Sequence, residues 1–241
     1  MEPGLSIIIP TYKEAKNIPF LIEKIASVKL DNVVGATPFE VVLMDDNSND
    51  GLIEVVEELK VQYPWLRLIV RNKPRDLSQS IMDGFIAAKY ENLITLDADL
   101  SHPPEKIPEM MQALMQPDVD IVLGSRYVPG GSMDDVWPLS RKIASRSSAL
   151  LARMLLGIKL KDPLSGYFAI RKTTLFAADA FKFIGWKWGL EIMIKCKTKK
   201  IREVPIHFSQ RKYGKSKLNF KIALSYFRHI KELFLYKLGA S

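Results

Sequence analysis

The sequence predicts an α/β protein in which a mostly parallel sheet is flanked by helices. Over residues 1–125, apolar runs of strand length alternate with segments whose apolar residues recur at helical spacing. The first run, residues 5–9, is apolar at every position except Ser6, which is typical of a strand that is buried on both faces. With 241 residues, 47% of them hydrophobic, the chain is long enough to form one large domain.

Five strands and four helices are predicted to alternate in the first half. The strands are residues 5–9, 39–44, 66–70, 93–96 and 119–123. The helices are residues 17–28, 50–61, 77–90 and 104–115. In the second helix, Asp50 is expected to cap the N-terminus, and the buried stripe is expected to consist of Ile53, Val56 and Leu59.

The second half is less regular. Residues 128–138 contain two prolines and two glycines and are predicted to form a loop. Strands are predicted over residues 166–170 and 201–208, and helices over 139–156 and 220–238. The first of these helices has apolar residues at Leu139, Ile143, Leu150, Met154 and Leu155. The second has a broad apolar stripe of Phe220, Leu224, Phe227, Ile230, Phe234 and Leu238.

The C-terminal helix is expected to be an interface element, because basic residues flank its apolar stripe. The chain is accordingly divided into a main domain, residues 1–218, and an amphipathic helix, residues 219–241, that lies on a membrane surface or docks on a partner. The helix over residues 139–156 is a second candidate for the same surface. The alternative is that both helices pack on the core.

Charge is unevenly distributed along the chain. The formal net charge is +8, and residues 187–241 carry fourteen Lys or Arg against three Glu. A basic C-terminal part favours an anionic partner, which could be phosphate, nucleic acid or an anionic membrane. The single cysteine, Cys196, excludes an internal disulfide and favours a reducing compartment. No signal peptide and no apolar run of ~18 residues is present, so we expect a cytoplasmic protein that is soluble or peripheral on a membrane.

Acidic residues follow three of the predicted strands. The first strand leads to Glu14, the second to Asp45 and Asp46, and the fourth to Asp97 and Asp99. Open α/β sheets bind ligands at the carboxyl ends of their strands. Two carboxylates in an Asp-x-Asp pair suit Mg²⁺ or Mn²⁺ bound to a diphosphate, although the pair alone is a weak signal. Neither a G-x-G-x-x-G fingerprint nor a P-loop is present.

Six motifs resemble those of the polyprenol-phosphate glycosyltransferases in the inverting glycosyltransferase family 2, and most closely those of the dolichol-phosphate mannose synthases. The resemblance covers nearly the whole chain, and the motifs are residues 9–14, 44–48, 97–103, 124–127, 162–167 and 211–217. The first two motifs occur across the wider family. The motifs over 97–103 and 211–217 are narrower and point to a lipid-phosphate acceptor.

The resemblance implies a fold of the GT-A type and a role for particular residues. The sugar donor's nucleotide would be bound by Pro10, Tyr12, Glu14, Asp46, Asp97 and Lys217. The divalent metal, Mg²⁺ or Mn²⁺, would be bound at Asp97, Asp99 and Ser101. The acceptor phosphate would be bound by Arg126, Arg141, Ser145 and Arg211. The residues with catalytic roles would be Asp97, Asp99, Arg126 and Arg211.

The implied activity is inverting transfer of a sugar, with mannose from GDP-mannose as the leading donor, to a polyprenyl or dolichyl phosphate. A UDP-sugar donor carrying glucose or an amino sugar is the alternative within the class. A nucleic-acid-binding protein and an inactive nucleotide-binding scaffold are the alternatives outside it. The implied partners are the nucleotide sugar, the lipid phosphate, a membrane surface and a separate membrane-anchoring subunit, with no nucleic acid.

Two departures and one ambiguity accompany the resemblance. Relatives usually have Arg-Gly-Leu where this chain has Arg75, Asp76 and Leu77, so an acidic side chain stands near the expected diphosphate. Ser80 replaces a common alanine. Glu191 is a conceivable base, but a carboxylate in a structural salt bridge is the preferred interpretation, and the three histidines are expected to be structural.

Overall fold

The computed structural model describes residues 2–28, 30, 38–182, 185–196, 200–214 and 220–239, with residues 220–223 described at the level of the backbone. Nine strands lie within these ranges. They are β1 (Glu2–Thr11), β2 (Phe39–Asp45), β3 (Leu66–Val70), β4 (Tyr90–Thr95), β5 (Ile121–Ser125), β6 (Ser132–Met133), β7 (Phe168–Arg171), β8 (Ile201–Pro205) and β9 (His207–Phe208).

Eight α-helices are described between and after these strands. They are α1 (Ile18–Ser27), α2 (Leu52–Gln62), α3 (Leu77–Ala87), α4 (Ile107–Leu114), α5 (Leu139–Leu156), α6 (Lys172–Phe176), α7 (Trp188–Lys195) and α8 (Phe220–Lys237). A 3₁₀ turn, Pro104–Lys106, precedes α4. No helix in the described part of the chain is long and apolar enough to cross a bilayer.

Seven strands form the central sheet in the order β3-β2-β1-β4-β7-β5-β8. All neighbours in this sheet pair in parallel except β7, which is antiparallel to both β4 and β5. Because β4 and β5 both pair antiparallel with β7, they run in the same direction as each other. The carboxyl ends of β1, β2, β4, β5 and β8 therefore meet at one edge of the sheet. β6 and β9 form a separate two-stranded sheet.

Apolar clusters cover both faces of the sheet. Ile7 and Ile9 of β1 point into a cluster that includes α1, α2 and α4, whereas Ile8 points into one that includes α3, α5 and α7. Alternate residues of a strand face opposite sides of the sheet, so a strand between two cores is apolar at nearly every position. This requirement accounts for the apolar run that predicts β1, in which the one polar residue, Ser6, is buried and donates a hydrogen bond to Glu40 at 2.7 Å. The predicted mostly parallel α/β architecture is confirmed.

Most predicted elements are confirmed, with displaced ends. The helix over 139–156 has the predicted bounds. The helix predicted to reach residue 90 ends at Ala87, because Tyr90 already pairs with β1 at the start of β4. The strand predicted over 201–208 is two strands that belong to different sheets.

The predicted start of the second helix is wrong. Gly51 precedes α2 in the left-handed conformation, with φ 83°, and no side chain caps the helix. The Asp50 carboxylate instead accepts a hydrogen bond from the Ala15 backbone, at 3.0 Å. Ile53 is half-exposed, and Leu52 takes its place in the buried stripe with Val56. Asp50 therefore links the loops that follow β1 and β2.

Most of the large apolar residues of α5 face solvent and not the core. Its buried residues are Ala149, Ala152 and Leu156. The exposed ones are the larger residues Leu139, Ile143, Leu150, Met154 and Leu155. Small residues on the inner side let α5 lie close to the core, while its larger apolar residues remain in contact with solvent.

The apolar stripe predicted for α8 divides between two environments. Ile230 is buried with Leu233 in the same cluster as α5, and the Tyr226 hydroxyl donates to the Ser148 carbonyl at 2.6 Å. Four members of the stripe are exposed, namely Leu224, Phe227, Phe234 and Leu238. The side chain of Phe220 lies outside the described part, and the division at residue 218 stays a prediction because residues 215–219 lie outside it too. We call the exposed apolar residues of α5 and α8 the α5–α8 apolar face.

A close approach between α3 and the sheet generates the first prediction. A Cβ atom on Gly84 would lie 2.4 Å from Ile8 Cγ2 and 2.9 Å from Met44 Cγ, so α3 must shift to accommodate it. We expect Gly84→Ala to lower the free energy of unfolding by about 1–3 kcal/mol in urea titrations. In the control Gly189→Ala, the new Cβ meets its nearest atom at 3.5 Å, and stability should change by less than about 1 kcal/mol. Equal stability of the two variants would contradict this packing.

Candidate active site

The acidic strand ends adjoin one another because β1 lies between β2 and β4. Four residues other than glycine adopt positive φ in the described chain, and all follow these three strands: Lys13, Asn47, Asn49 and Leu100, with φ between 49° and 67°. Such conformations are costly and concentrate at functional sites. The backbone at this edge is therefore held in a shape that the strands alone would not produce.

Asp45 organises the turn after β2. Its carboxylate accepts hydrogen bonds from the Ser48 backbone at 2.9 Å and from the Thr11 hydroxyl at 3.2 Å, and it also contacts the Ser48 hydroxyl. The Ser48 hydroxyl oxygen in turn accepts from the Lys13 backbone at 2.8 Å. Asp45 thus binds the loops after β1 and β2 together and has a positioning role.

Asp46 is buried, and both of its carboxylate oxygens have partners within the protein. One oxygen forms an ion pair with Arg71, and the other accepts from the Asp76 backbone at 3.1 Å. Arg71 Nε also donates to Asp83 at 2.8 Å. Burial raises the pKa of Asp46, although Arg71 opposes the shift. Asp46 therefore anchors the loop before α3, and its contact with a nucleobase stays a prediction.

The other predicted nucleotide-binding residues line the same edge. The guanidinium of Arg75 lies 3.9 Å from the centroid of the Tyr12 ring, a cation–π contact. Glu14 accepts a hydrogen bond from the Asn17 amide at 2.6 Å. Pro10 continues β1 opposite Met44 of β2. Lys217 lies outside the described residues.

The unusual Asp76 has a structural role. Its carboxylate accepts a hydrogen bond from the Gln79 backbone at 3.0 Å and so caps the N-terminus of α3. A carboxylate at this position also interacts favourably with the helix dipole. The acidic side chain is therefore directed at the helix end, which resolves the conflict with a nearby diphosphate.

Asp97 and Asp99 differ in how far their carboxylate oxygens are already engaged by other groups of the protein. Asp99 Oδ1 accepts from the Ser101 hydroxyl at 2.6 Å, and Asp99 Oδ2 lies 3.3 Å from Arg211 Nη2. Ser101 is buried and its hydroxyl proton is directed at Asp99. Asp97 keeps 47% of its side chain exposed, and its backbone N–H donates to His102 Nδ1 at 3.0 Å.

No group of three or more His, Cys, Asp or Glu side chains is arranged to hold a metal within the described ranges. Asp97 and Asp99 supply two hard oxygen donors, which is the set expected where a substrate diphosphate completes the coordination of Mg²⁺ or Mn²⁺. The donor chemistry therefore fits a divalent cation. The Ser101 hydroxyl oxygen could contribute only while it continues to donate to Asp99.

Arginines approach these carboxylates from the segments that follow β5 and β9. Arg126 follows β5 and makes a two-point contact with the fully buried Asp162, with Nε–Oδ2 and Nη2–Oδ1 distances of 2.7 Å each. Burial alone would lower the pKa of Arg126, but the Asp162 contact raises it. Asp162 lies in one of the resemblance motifs, yet sequence reasoning assigned it no role. It fixes the orientation of a predicted catalytic arginine.

Arg141 and Ser145 lie on the first two turns of α5. The Arg141 guanidinium stacks on the Trp137 ring at 3.7 Å. Burial lowers the pKa of Arg141, and nearby Arg211 and Arg126 lower it further. The Ser145 hydroxyl oxygen accepts from the Tyr127 hydroxyl at 2.8 Å. The structure thus brings the three predicted arginines into one electrostatic neighbourhood, and their role in phosphate binding stays a prediction.

The segment after β9 lies along the loop that follows β4. The Ser209 backbone donates to the Ser101 carbonyl at 3.1 Å, and the Lys212 backbone donates to the Asp99 carbonyl at 3.2 Å. The Lys212 ammonium lies 3.1 Å from the centroid of the Phe20 ring in α1. These contacts place Arg211 beside Asp99 and join the C-terminal basic motif to the strand ends.

Sequence reasoning also missed Lys187, which immediately precedes α7. Its ammonium donates to the Leu164 carbonyl at 3.2 Å. Burial lowers its pKa to about 8, and Arg126 is the next cause. A lone lysine between two tryptophans carries no motif, so no sequence signal could have assigned it to this site.

These features define a class: nucleotide-sugar glycosyltransferases with a GT-A type fold, which place a diphosphate beside carboxylates at the strand ends. A family model described as glycosyl transferase family 2 matches residues 6–176. The chain belongs to glycosyltransferase family 2, and it is a glycosyltransferase.

Several relatives match most of the chain. It is 39% identical to a dolichol-phosphate mannosyltransferase of Pyrococcus furiosus over 95% of this chain, and it spans 63% of that relative's length. It is 36% identical to a dolichol-phosphate mannosyltransferase of Saccharomyces cerevisiae, over 98% of this chain and 89% of the relative. An undecaprenyl-phosphate mannosyltransferase of Micrococcus luteus is 33% identical over 88% of this chain and 86% of its own length.

Solved structures share the fold at low identity. A mannosyltransferase from Pyrobaculum calidifontis in complex with GDP-Man and Mn²⁺ aligns with a TM-score of 0.65 at 15% identity, over 96% of this chain and 65% of that chain. A glucosyl-3-phosphoglycerate synthase from Mycobacterium tuberculosis with Mn²⁺ and UDP aligns with a TM-score of 0.64 at 18% identity, over 99% of this chain and 81% of that chain. The predicted GT-A type fold is confirmed.

Glu191 has the structural role that sequence reasoning preferred. It is 2% exposed, lies 2.8 Å from Lys195 Nζ, and accepts from the Lys182 backbone at 2.6 Å. Burial would raise its pKa, but contacts with His229 and Lys195 outweigh burial and lower it from 4.5 to about 2. A buried carboxylate in a salt bridge is poorly placed to accept a proton from a substrate.

The lowered pKa of Glu191 predicts how stability depends on pH. The ionised carboxylate stabilises the folded protein above the ordinary pKa of 4.5, and this contribution is lost as pH falls towards about 2. The full contribution is about 3 kcal/mol, of which about 2 kcal/mol should disappear between about pH 5 and pH 3. Glu191→Gln should lower stability at neutral pH and flatten the acid limb of urea titrations. Glu57→Gln, at an exposed residue of α2, should leave that limb unchanged; identical limbs in wild type and Glu191→Gln would contradict the assignment.

Proposed function

We propose that this protein transfers mannose from GDP-mannose to the phosphate of a polyprenyl phosphate such as dolichyl phosphate, with inversion at the sugar carbon and with Mg²⁺ or Mn²⁺. The observation that carries the proposal is the placement of Arg211 beside Asp99, with Arg126 and Arg141 close by. A carboxylate that suits a metal ion with its bound diphosphate thus lies beside arginines that suit the phosphate of a second substrate. The named relatives support the choice of mannose and lipid phosphate.

On the side of the sugar donor, Asp97 and Asp99 would hold the divalent cation through hard carboxylate oxygens. The cation supplies positive charge that offsets the charge developing on the departing diphosphate. Asp97 is the more exposed of the two carboxylates, and Asp99 is fixed by Ser101 and Arg211. Tyr12, Glu14 and Asp46 would bind the nucleoside at the ends of β1 and β2.

On the side of the acceptor, the chemistry requires positioning more than deprotonation. A phosphomonoester has a second pKa near ~6 and is largely a dianion at neutral pH. Arg126, Arg141 and Arg211 would bind this dianion and reduce its repulsion from the diphosphate. A phosphate oxygen then attacks the sugar carbon from the face opposite the leaving group. Because the dianion has no proton to lose, no histidine is needed as a base, and His102, whose Nδ1 accepts from the Asp97 backbone, has a positioning role.

The α5–α8 apolar face would lie on the cytoplasmic surface of a membrane. Its apolar residues are exposed, and the same helices carry cations that suit anionic headgroups: Lys142, Arg146, Arg153, Arg228, Lys231 and Lys237. Arg141 and Ser145, the proposed acceptor-binding residues, are on α5 itself. A polyprenyl tail could therefore remain among the lipids while its phosphate reaches the site. A separate membrane-anchoring subunit could cover part of the same face.

The proposed reaction is tested with labelled nucleotide sugars. With Mg²⁺ or Mn²⁺ and dolichyl phosphate, we expect label from GDP-mannose in the lipid extract, and a much lower rate with UDP-glucose. Asp97→Asn should lower kcat at least about 100-fold because one carboxylate ligand of the cation is lost. Its thermal unfolding temperature should change little, since Asp97 is half-exposed. Lipid labelling from UDP-glucose in place of GDP-mannose would favour the alternative donor, and full activity of Asp97→Asn would refute the metal assignment.

Membrane docking is tested by flotation with liposomes that contain anionic phospholipid, at low salt. Wild-type protein should float, and the double variant Ile143→Glu/Met154→Glu should show at least a tenfold lower bound fraction, since each apolar side chain contributes about 1.5 kcal/mol or more on burial. The control Val61→Glu alters a residue on α2 that is 89% exposed and distant in sequence from α5 and α8, and it should float like wild type. Equal flotation of the double variant would exclude this face.

A further inference from the structure

Lys187 reaches the candidate active site from outside the predicted motifs. It is partly buried, and its ammonium donates to the Leu164 carbonyl at 3.2 Å. Leu164 belongs to the short segment that borders the site: Asp162 contacts Arg126 at one end, and a Cβ added to Gly166 would lie 3.8 Å from Asp97 Oδ1 at the other. The ammonium therefore lies by a segment that connects Arg126 with Asp97.

The charge of Lys187 is less neutralised than that of Arg126. Both Nε and Nη2 of Arg126 bind the Asp162 carboxylate, so the two residues together carry little net charge. Among the residues described, no carboxylate lies within ion-pair distance of Lys187 Nζ, and its one hydrogen-bond acceptor is a neutral carbonyl. An ammonium can donate three hydrogen bonds, so two remain for a ligand.

The placement of this ammonium is costly without a ligand. Burial and the neighbouring Arg126 together lower the pKa of Lys187 to about 8, against the opposing effects of Asp162 and Asp97. Groups perturbed by burial and by a specific neighbouring charge concentrate at functional sites. An anion bound between Lys187 and Arg126 would remove the repulsion between the two cations.

We propose that Lys187 is a further acceptor-binding residue, whose ammonium and Arg126 together receive the phosphate of the lipid acceptor. This inference rests on the proposed function. Assignment to the acceptor is favoured because the ammonium is held at Leu164, two residues from Asp162, whose carboxylate orients Arg126, a proposed acceptor residue, through two hydrogen bonds of 2.7 Å. The competing role is purely structural, in which the ammonium only holds the Leu164 carbonyl.

Lys187→Met tests the proposal, because methionine keeps the length of the side chain and removes its charge. Loss of one charge-assisted hydrogen bond to phosphate should raise KM for dolichyl phosphate about 10- to 100-fold. KM for GDP-mannose should remain within about twofold, and Lys187→Arg should recover part of the acceptor affinity. In a separate binding assay, farnesyl phosphate should raise the unfolding temperature of wild type and should fail to do so for Lys187→Met.

The matched control is Lys172→Met. Lys172 Nζ also donates to backbone carbonyls, those of Ala88 at 2.6 Å and Ile86 at 3.3 Å. These lie near the C-terminal end of α3, at the edge of the sheet where β4 begins, opposite the candidate active site. The Lys172→Met variant should be less stable than wild type, and its KM for dolichyl phosphate should be unchanged. If Lys187→Met behaves in the same way, or if KM for GDP-mannose rises in its place, Lys187 is not an acceptor residue. If wild type transfers no mannose to lipid, the proposed function fails, and the farnesyl phosphate assay still decides whether Lys187 binds a lipid phosphate.

Discussion

The parallel pairing of β1 with both β2 and β4 is the constraint from which the candidate active site follows. It aligns Thr11 with Asp45 and brings the chain after β4 to the same edge, so that three acidic loops adjoin. The antiparallel β7 then allows β5 and β8 to run in the same direction as β4. Arg126 reaches that edge directly after β5, and Arg211 reaches it in the segment after β9, which follows β8. Opposite charges thus meet at one edge of the sheet from elements distant in sequence.

The cations of this edge are held in place by carboxylates. Arg71 pairs with Asp46, Arg126 with Asp162, and Arg211 contacts Asp99. Each of these three carboxylates therefore also orients an arginine. Buried ion pairs add little net stability after desolvation, but each one restricts a long side chain to one geometry. These ion pairs therefore pre-organise the site more than they stabilise the fold.

Much of the fold could be predicted because its signals are local. The helix over 139–156 and the apolar runs of β1, β2 and β3 follow from the spacing of apolar residues within each segment. The cap predicted at Asp50 is absent for reasons that no local pattern shows, because the left-handed Gly51 and the distant Ala15 decide where that carboxylate is directed. The sequence also does not show which side of α5 is exposed, since only the packing of Ala149 and Ala152 in the folded protein shows which stripe is buried. Pairs such as Arg71 with Asp46 depend on strand register and leave no trace in composition.

The placement of the ion pairs bears on how a second anion can be accommodated. When an arginine is already neutralised by a buried carboxylate, as Arg126 is by Asp162, it can orient a phosphate but contributes little net attraction. Two phosphate-bearing substrates in one cleft require cations beyond those that the carboxylates neutralise. Arg141, whose guanidinium stacks on Trp137, and Lys187, bound to a carbonyl, have no carboxylate at ion-pair distance among the described residues. The positive charge that the described carboxylates leave unpaired therefore lies on Arg141 and Lys187, which are both proposed to bind the lipid phosphate.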